Sequence, residues 1–218
     1  MTKARKPKRF EYFWVRKWWS PETAELIQSW GDTLAAIADE VARRGKPRLR
    51  IVRRQVAALE ELKRSSTLEA IAPAANSATA NADELWWRFN HAVQSCAGWR
   101  PRFYEDLALL LARQGDGELA LRVIAIDEFF EPNQKGIARH HVEAVTGKRK
   151  QAIRALVRTV WDPQRTWSAR VRALSCLAEL TQEEFEEESK WLLIAAEEEG
   201  DSLAASEIRS LIEWLASR

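Results

Sequence analysis

His140 and Glu143 stand one helical turn apart in a 218-residue chain whose three histidines are His91, His140 and His141. An imidazole and a carboxylate at that spacing can share a metal ion. A metal centre needs further ligands, and no second His-plus-carboxylate pair of this kind occurs. The adjacent His140 and His141 also point to different sides of a helix. The expectation is therefore no metal and no cofactor. His91, alone in an apolar, Trp-rich helical stretch, reads as a core or boundary histidine. Thr146-Gly147-Lys148 has the local look of a phosphate loop. It lacks the earlier Gly, the following Ser or Thr, and a preceding strand, so that reading is rejected. Cys96 and Cys176 have no nucleophile motif around them and sit in helical apolar periodicity, which suits buried structural thiols. The acidic run Glu183 to Glu188 reads as a solvated helix face with Phe185 turned inward. No residue is assigned a catalytic role, and the expectation is a protein that is not an enzyme.

What remains is binding chemistry. Residues 1–64 hold sixteen Lys/Arg against eight Asp/Glu, a net +8, whereas residues 181–218 hold three against eleven, a net −8. Charge so divided bears on partners rather than on fold. Arg43, Arg44, Lys46, Arg48, Arg50, Arg53 and Arg54 span a helix end, a turn and a helix start. Cations suit the C-terminus of the first helix. They oppose the dipole at the N-terminus of the second, so Arg48 and Arg50 need another reason. One is a phosphate backbone. Another is an acidic protein surface, including the acidic C-terminal end of a second copy. A third is a solvated basic loop. Ahead of them, Lys8 and Arg9 precede Trp14, Trp18 and Trp19. These aromatics suit base stacking between phosphate contacts, a membrane interface, or a lid packed over the first helical hairpin.

The elements that must carry these residues are helices. Ala, Leu, Glu and Arg dominate, and Gly and Pro number only 8 and 7, which argues against a turn-rich β-sandwich. Ser20-Pro21 reads as an N-cap with Pro in the first helical position. Leu26, Trp30, Leu34, Ile37 and Val41 then mark one helical face. Gly45 and Pro47 end that helix. A second helix carries Leu49, Val52, Val56, Leu59 and Leu62, and the short connection makes the pair an antiparallel hairpin. Residues 72–82 lack large apolar side chains and read as a linker or long loop. Ser66 with Glu69, Asn81 with Glu84, and Thr181 with Glu184 have capping-box spacing, and Asp162-Pro163 reads as a further cap. Trp161, Trp191 and Trp214 fall in helical patterns that place them in a core. No apolar run approaches the roughly 20 residues of a membrane span. No secretory signal follows the basic N-terminus, and two distant cysteines build no disulfide framework, so a reducing cytoplasm is expected.

Residues 103–132 carry Leu107, Ala108, Leu111, Gly115, Ala120, Ile124 and Pro132 in an order that resembles one tetratricopeptide repeat. Asp127 stands where that family prefers a small residue. The Gly-then-Ala spacing of five recurs at Gly147/Ala152, 32 residues on, and at Gly200/Ala205, a further 53 on, so an extra or longer helix lies between the last two. Pro163 follows the second unit as Pro132 follows the first. The third, with Lys190-Trp191, Ala195-Ala196 and Gly200-Asp201, is similar to a Sel-one-like repeat. The resemblance covers about half the chain and implies stacked helical hairpins that bind proteins.

The expected fold is all-α: antiparallel helical hairpins, with a short irregular tetratricopeptide-like stack after the N-terminal hairpin. Residues 1–71 form the basic, Trp-rich segment and hairpin, 72–82 the linker and 83–218 the repeat-like domain. The expected function is a non-catalytic, cytoplasmic adaptor or scaffold for a protein partner. The alternative is a nucleic-acid-binding accessory subunit of a bacterial ribonucleoprotein or defence complex. Either accommodates assembly through the basic and acidic ends of the chain.

Overall fold

The computed structural model describes residues 17–41, 48–71, 82–97 and 103–217. Every regular element among them is helical. The α-helices are α1 (Pro21–Val41), α2 (Leu49–Ser65), α3 (Leu68–Ile71), α4 (Ala82–Ala97), α5 (Phe103–Arg113), α6 (Gly117–Phe130), α7 (Ile137–Val145), α8 (Arg149–Val160), α9 (Trp167–Leu180), α10 (Gln182–Glu198) and α11 (Ser202–Ala216), with a 3₁₀ turn at Pro132–Gln134. Among the described residues, no helix is long and apolar enough to cross a membrane. Gly45, Pro47, Asn81 and the linker residues 72–81 lie outside the described residues; Ala82 opens α4. The chain divides into two compact units, residues 1–107 with 125–132, and residues 108–124 with 133–218.

In the first unit, Ser20 caps α1 as its sequence suggests, its Oγ accepting the Thr23 N–H at 3.2 Å. The buried face of α1 is Ala24, Ile27, Trp30, Leu34, Ile37 and Glu40. Ile27 and Glu40 replace the expected Leu26 and Val41, which are half-buried. A turn of about 100° per residue explains why a neighbouring position takes over. Trp30 sits at the centre of an aromatic cluster, with its ring centroid 5.0 Å from Phe130 and 6.4 Å from Phe89 and from Phe129. Its indole N–H donates to Ser66 Oγ at 3.2 Å. Each such aromatic pair adds about 0.5–1.5 kcal/mol beyond burial itself. Leu85, Phe89, Val93 and Cys96 form the buried face of α4, and α4 packs against α1 rather than grouping with the C-terminal helices as its position after the linker suggests. Gly31 is the point of closest approach, since a Cβ there would meet Cys96 Cβ at 2.5 Å. The cap of α3 is Thr67, whose Oγ1 accepts the Ala70 N–H at 3.1 Å, one residue later than the Ser66/Glu69 spacing implies.

The second unit contains three turns of one design. Gly115, Gly147 and Gly200 all have positive φ, at 87°, 109° and 75°. After each, the next residue's N–H bonds back five residues: Asp116 to Leu111, Lys148 to Glu143, and Asp201 to Ala196. This is the Schellman ending, which satisfies carbonyls left open at a helix C-terminus and favours Gly because a Cβ is unfavourable there. The same residue then opens the next helix. Asp116 Oδ1 accepts the Leu119 N–H at 3.2 Å, and Asp201 Oδ1 accepts the Ala204 N–H at 2.9 Å. Ala120, Ala152 and Ala205 each close the first turn of that helix and are buried. The Gly-then-Ala spacing of the sequence therefore corresponds to a repeated helix–turn–helix geometry.

Between the second and third of these hairpins lies α9. Ten of its residues are buried, including Val171, Leu174, Cys176 and Leu177, and it packs against α7, α8, α10 and α11. A helix buried nearly all round is the centre of its unit. Its cap is Thr166, whose Oγ1 accepts the Ala169 N–H at 3.3 Å. The Asp162-Pro163 cap expected from sequence is instead a turn in which Asp162 Oδ1 accepts the Gln164 N–H at 3.0 Å. Arg170 is buried, donating from Nε to Val160 O at 2.8 Å with its guanidinium 3.9 Å from the Trp167 ring centroid. Burial pulls its pKa below the ordinary arginine value, opposed by the carboxylates of Glu199 and Asp162.

Candidate interaction surfaces

Of the N-terminal cationic group, Arg48, Arg50, Arg53 and Arg54 fall within the described residues. Arg43, Arg44 and Lys46 lie outside the described residues, as do Lys8, Arg9 and Trp14. Arg48 has a local partner. Its Nε donates to Glu40 Oε1 at 2.9 Å and its second guanidinium nitrogen to Oε2 at 2.8 Å, while its backbone N–H also reaches Oε1 at 2.9 Å. Glu40 is only 4% exposed. The hydrogen bond to this carboxylate raises the Arg48 pKa. A buried acid at the end of α1 thus accounts for the cation at the start of α2, for which the sequence alone offers only a ligand or a solvated loop. Arg50, Arg53 and Arg54 are exposed along α2, and Arg53 is itself engaged. Trp18 is 62% exposed, with Lys17 Nζ 5.9 Å from its ring centroid, whereas Trp19 is buried edge-on against Phe89 at 6.1 Å. Trp19 therefore packs against α4, whereas Trp18 stands out from the fold.

Other sequence expectations divide similarly. Cys96 and Cys176 are buried free thiols, and Phe185 points inward. His140 Nδ1 lies 3.1 Å from Glu143 Oε2, so that pair does form. His91 departs from the core or boundary reading: it is exposed and tilts over the exposed Trp87 at 5.6 Å. Trp161, Trp191 and Trp214 are not core residues, with Trp191 60% exposed.

These tryptophans draw attention to the outer face of the last helices. On α10, Glu183, Glu187, Trp191, Ile194 and Glu198 are all exposed and follow one another at spacings of four, four, three and four. They form a single stripe about 22 Å long. The core face of the same helix is Phe185, Ser189, Leu192 and Ala196. A shallow depression beside the stripe is lined by Gln182, Glu183, Glu186, Glu187, Lys190 and Trp191. Several neighbouring carboxylates already have work within the fold. Glu188 accepts the Trp161 indole N–H, Glu197 pairs with Arg209, Glu184 bonds the Thr181 hydroxyl, and Glu199 Oε2 accepts the Trp167 indole N–H at 3.1 Å. Among the described residues, none pairs with Glu183, Glu187 or Glu198. The stripe therefore offers an apolar centre between two unpaired acidic ends.

A different surface occupies α8. Its twelve residues include Arg149, Lys150, Arg154 and Arg158 and no acid. Sequence reasoning passes over it because, beyond Lys150, the cations alternate with apolar positions rather than clustering. The spacing of four between Lys150, Arg154 and Arg158 is the signal that marks it.

Compared with protein-family models, with curated proteins and with solved structures, the chain matches none.

Proposed function

We propose that this chain is a non-catalytic adaptor whose C-terminal helices form a tetratricopeptide-like stack and bind a protein partner through the outer face of α10. The observation that carries the reading is the stripe itself: Trp191 and Ile194 exposed on a helix whose core face is already satisfied, flanked by acids with no described counter-charge. Isolated exposed apolar residues are ordinary, but a tryptophan and an isoleucine one turn apart with charged ends have the make-up of a binding patch. Tryptophan is also among the residues that most often dominate binding energy. The matching partner is a basic segment with an apolar side chain at its middle. The three Schellman turns with a buried Ala in the following helix support the repeat reading, with α9 as an inserted central helix.

The test is affinity capture from the native host with the wild-type chain and with Trp191→Ala/Ile194→Ser. The reading expects a protein recovered in stoichiometric amount by the first and lost by the second. Equal recovery by both removes α10 from the interaction. Absence of any partner from the wild-type capture counts against the adaptor.

A further inference from the structure

We infer that the outer face of α8 is a second binding site, for the phosphodiester backbone of a nucleic acid, formed by Lys150, Arg154 and Arg158. This inference is independent of the α10 reading. The core side of α8 is Ala152, Leu156 and Val160, which places Lys150, Arg154 and Arg158 on the opposite side, all exposed. Successive members are about 6 Å apart along the axis and the three cover about 12 Å. No described residue forms an ion pair with any of them.

The arrangement is unfavourable for the isolated protein on two counts. Like charges four apart on a helix repel. Lys148, Arg149 and Lys150 also crowd the N-terminus of α8, where the helix dipole favours anions, and that end has no acid in its first turn and no side-chain cap. Arg149 is occupied with the Leu180 carbonyl; Lys148 and Lys150 have no such role. An anionic ligand lying along this face offsets both costs.

The chemistry favours nucleic acid over a protein. Lys150, Gln151, Arg154 and Arg158 make a face of donors with no apolar anchor among them. Protein interfaces take their energy from desolvated apolar and aromatic groups at their centre, as α10 provides and α8 does not. Phosphate contacts need only cations and donors. The exposed Trp161 follows the C-terminal end of α8, and its indole N–H already donates to Glu188.

The experiment is fluorescence anisotropy of the full chain with a labelled 20-nucleotide single strand and a labelled 20-base-pair duplex, from 25 to 200 mM NaCl. Three phosphate contacts predict a log–log salt slope of about −2.1 for the single strand and about −2.7 for the duplex. For the duplex this is a loss of about 40-fold between 50 and 200 mM. Lys150→Gln/Arg154→Gln/Arg158→Gln should weaken binding at least tenfold at low salt and flatten the slope by about 2–3. A control with Arg88, Lys190 and Arg209 changed to Gln removes the same charge elsewhere and should bind as the wild type. Circular dichroism of each variant verifies the fold, and relief of repulsion should leave the triple variant no less stable. No wild-type binding at 25 mM, equal binding by the triple variant, or equal loss in the control overturns the proposal. So does salt-sensitive self-association in sedimentation that both the triple variant and Glu183→Gln/Glu187→Gln abolish, with no nucleic acid bound, because the acidic face of a second copy is then the occupant.

Discussion

Replacing Gly31 by Ala tests the packing of α1 on α4. Taken alone, Gly to Ala inside a helix is a gain of about 1 kcal/mol. Here the new Cβ would lie 2.5 Å from Cys96 Cβ, 3.3 Å from the Cys96 carbonyl carbon and 3.4 Å from the Ala97 nitrogen. Carbon atoms prefer about 3.5–4.0 Å. Cys96 Cβ is tied to its backbone and cannot swing aside, so the two helices must separate by about 1 Å. That separation loosens the ring cluster of Trp30 and Phe89 on either side. Overpacking costs about 1–3 kcal/mol, and a 2.5 Å contact with a Cβ that cannot move lies in the upper part of that range, about 2–3 kcal/mol; against the propensity gain it leaves a net loss of about 1–2 kcal/mol. At about 2–4 °C per kcal/mol for a chain of this length, thermal unfolding followed by circular dichroism should fall by about 2–8 °C. The double variant Gly31→Ala/Cys96→Gly removes the facing Cβ and should lose less than the sum of the two single losses. A Gly31→Ala chain that melts at or above the wild type would refute the close approach.

Gly147 has a φ of 109° with nothing within 4 Å of an added Cβ, so Gly147→Ala should cost only backbone strain, about 1–2 kcal/mol by denaturant titration, with Gly147→Asn costing less. Equal stability of all three would contradict the Schellman geometry there. Tyr104 is fully buried in the first unit, its hydroxyl has no hydrogen-bond partner among the described residues, and burial with the nearby Asp127 carboxylate holds its pKa well above the usual tyrosine value. Tyr104→Phe should therefore be neutral or up to about 1 kcal/mol stabilising at pH 7. The folded chain keeps the phenolic proton longer than the unfolded chain. Stability is thus full below about pH 10 and falls above it by up to about 1.4 kcal/mol per pH unit until the folded group ionises. The wild type should lose more stability than Tyr104→Phe between pH 9.5 and 11.5, and parallel losses would contradict the buried assignment.

The helical elements were legible because helix signals are local. Ser20-Pro21, Gly115, Gly147 and Gly200 mark ends through the backbone they require, and Val52, Val56 and Leu59 mark a face by spacing alone. The caps misplaced by sequence, Ser66 for Thr67 and Asp162 for Thr166, lie one and four residues before other residues able to cap, and only the tertiary path decides between them. The partner of Arg48 was not legible for the same reason. Glu40 looks like one more acid near a helix end until α1 and α2 are folded together. Trp161, Trp191 and Trp214 mislead because helical periodicity shows which residues share a face but not which face is covered. On α10, Leu192 and Ala196 already fill the core, and that leaves Trp191 outside. The α8 stripe was present in the spacing, but its significance depends on no described residue forming an ion pair with it, which is a property of the fold.

The α10 reading is tested most directly by isothermal titration calorimetry of the captured partner against the wild-type chain and against Trp191→Ala. Because Trp191 is 60% exposed, its removal should leave the melting temperature within about 2 °C of the wild type, the effect of a surface change of at most about 0.5 kcal/mol. If it anchors the partner, affinity should fall by about 30-fold or more, the effect of losing a contact of about 2 kcal/mol. An unchanged dissociation constant in a variant of unchanged stability would contradict the account.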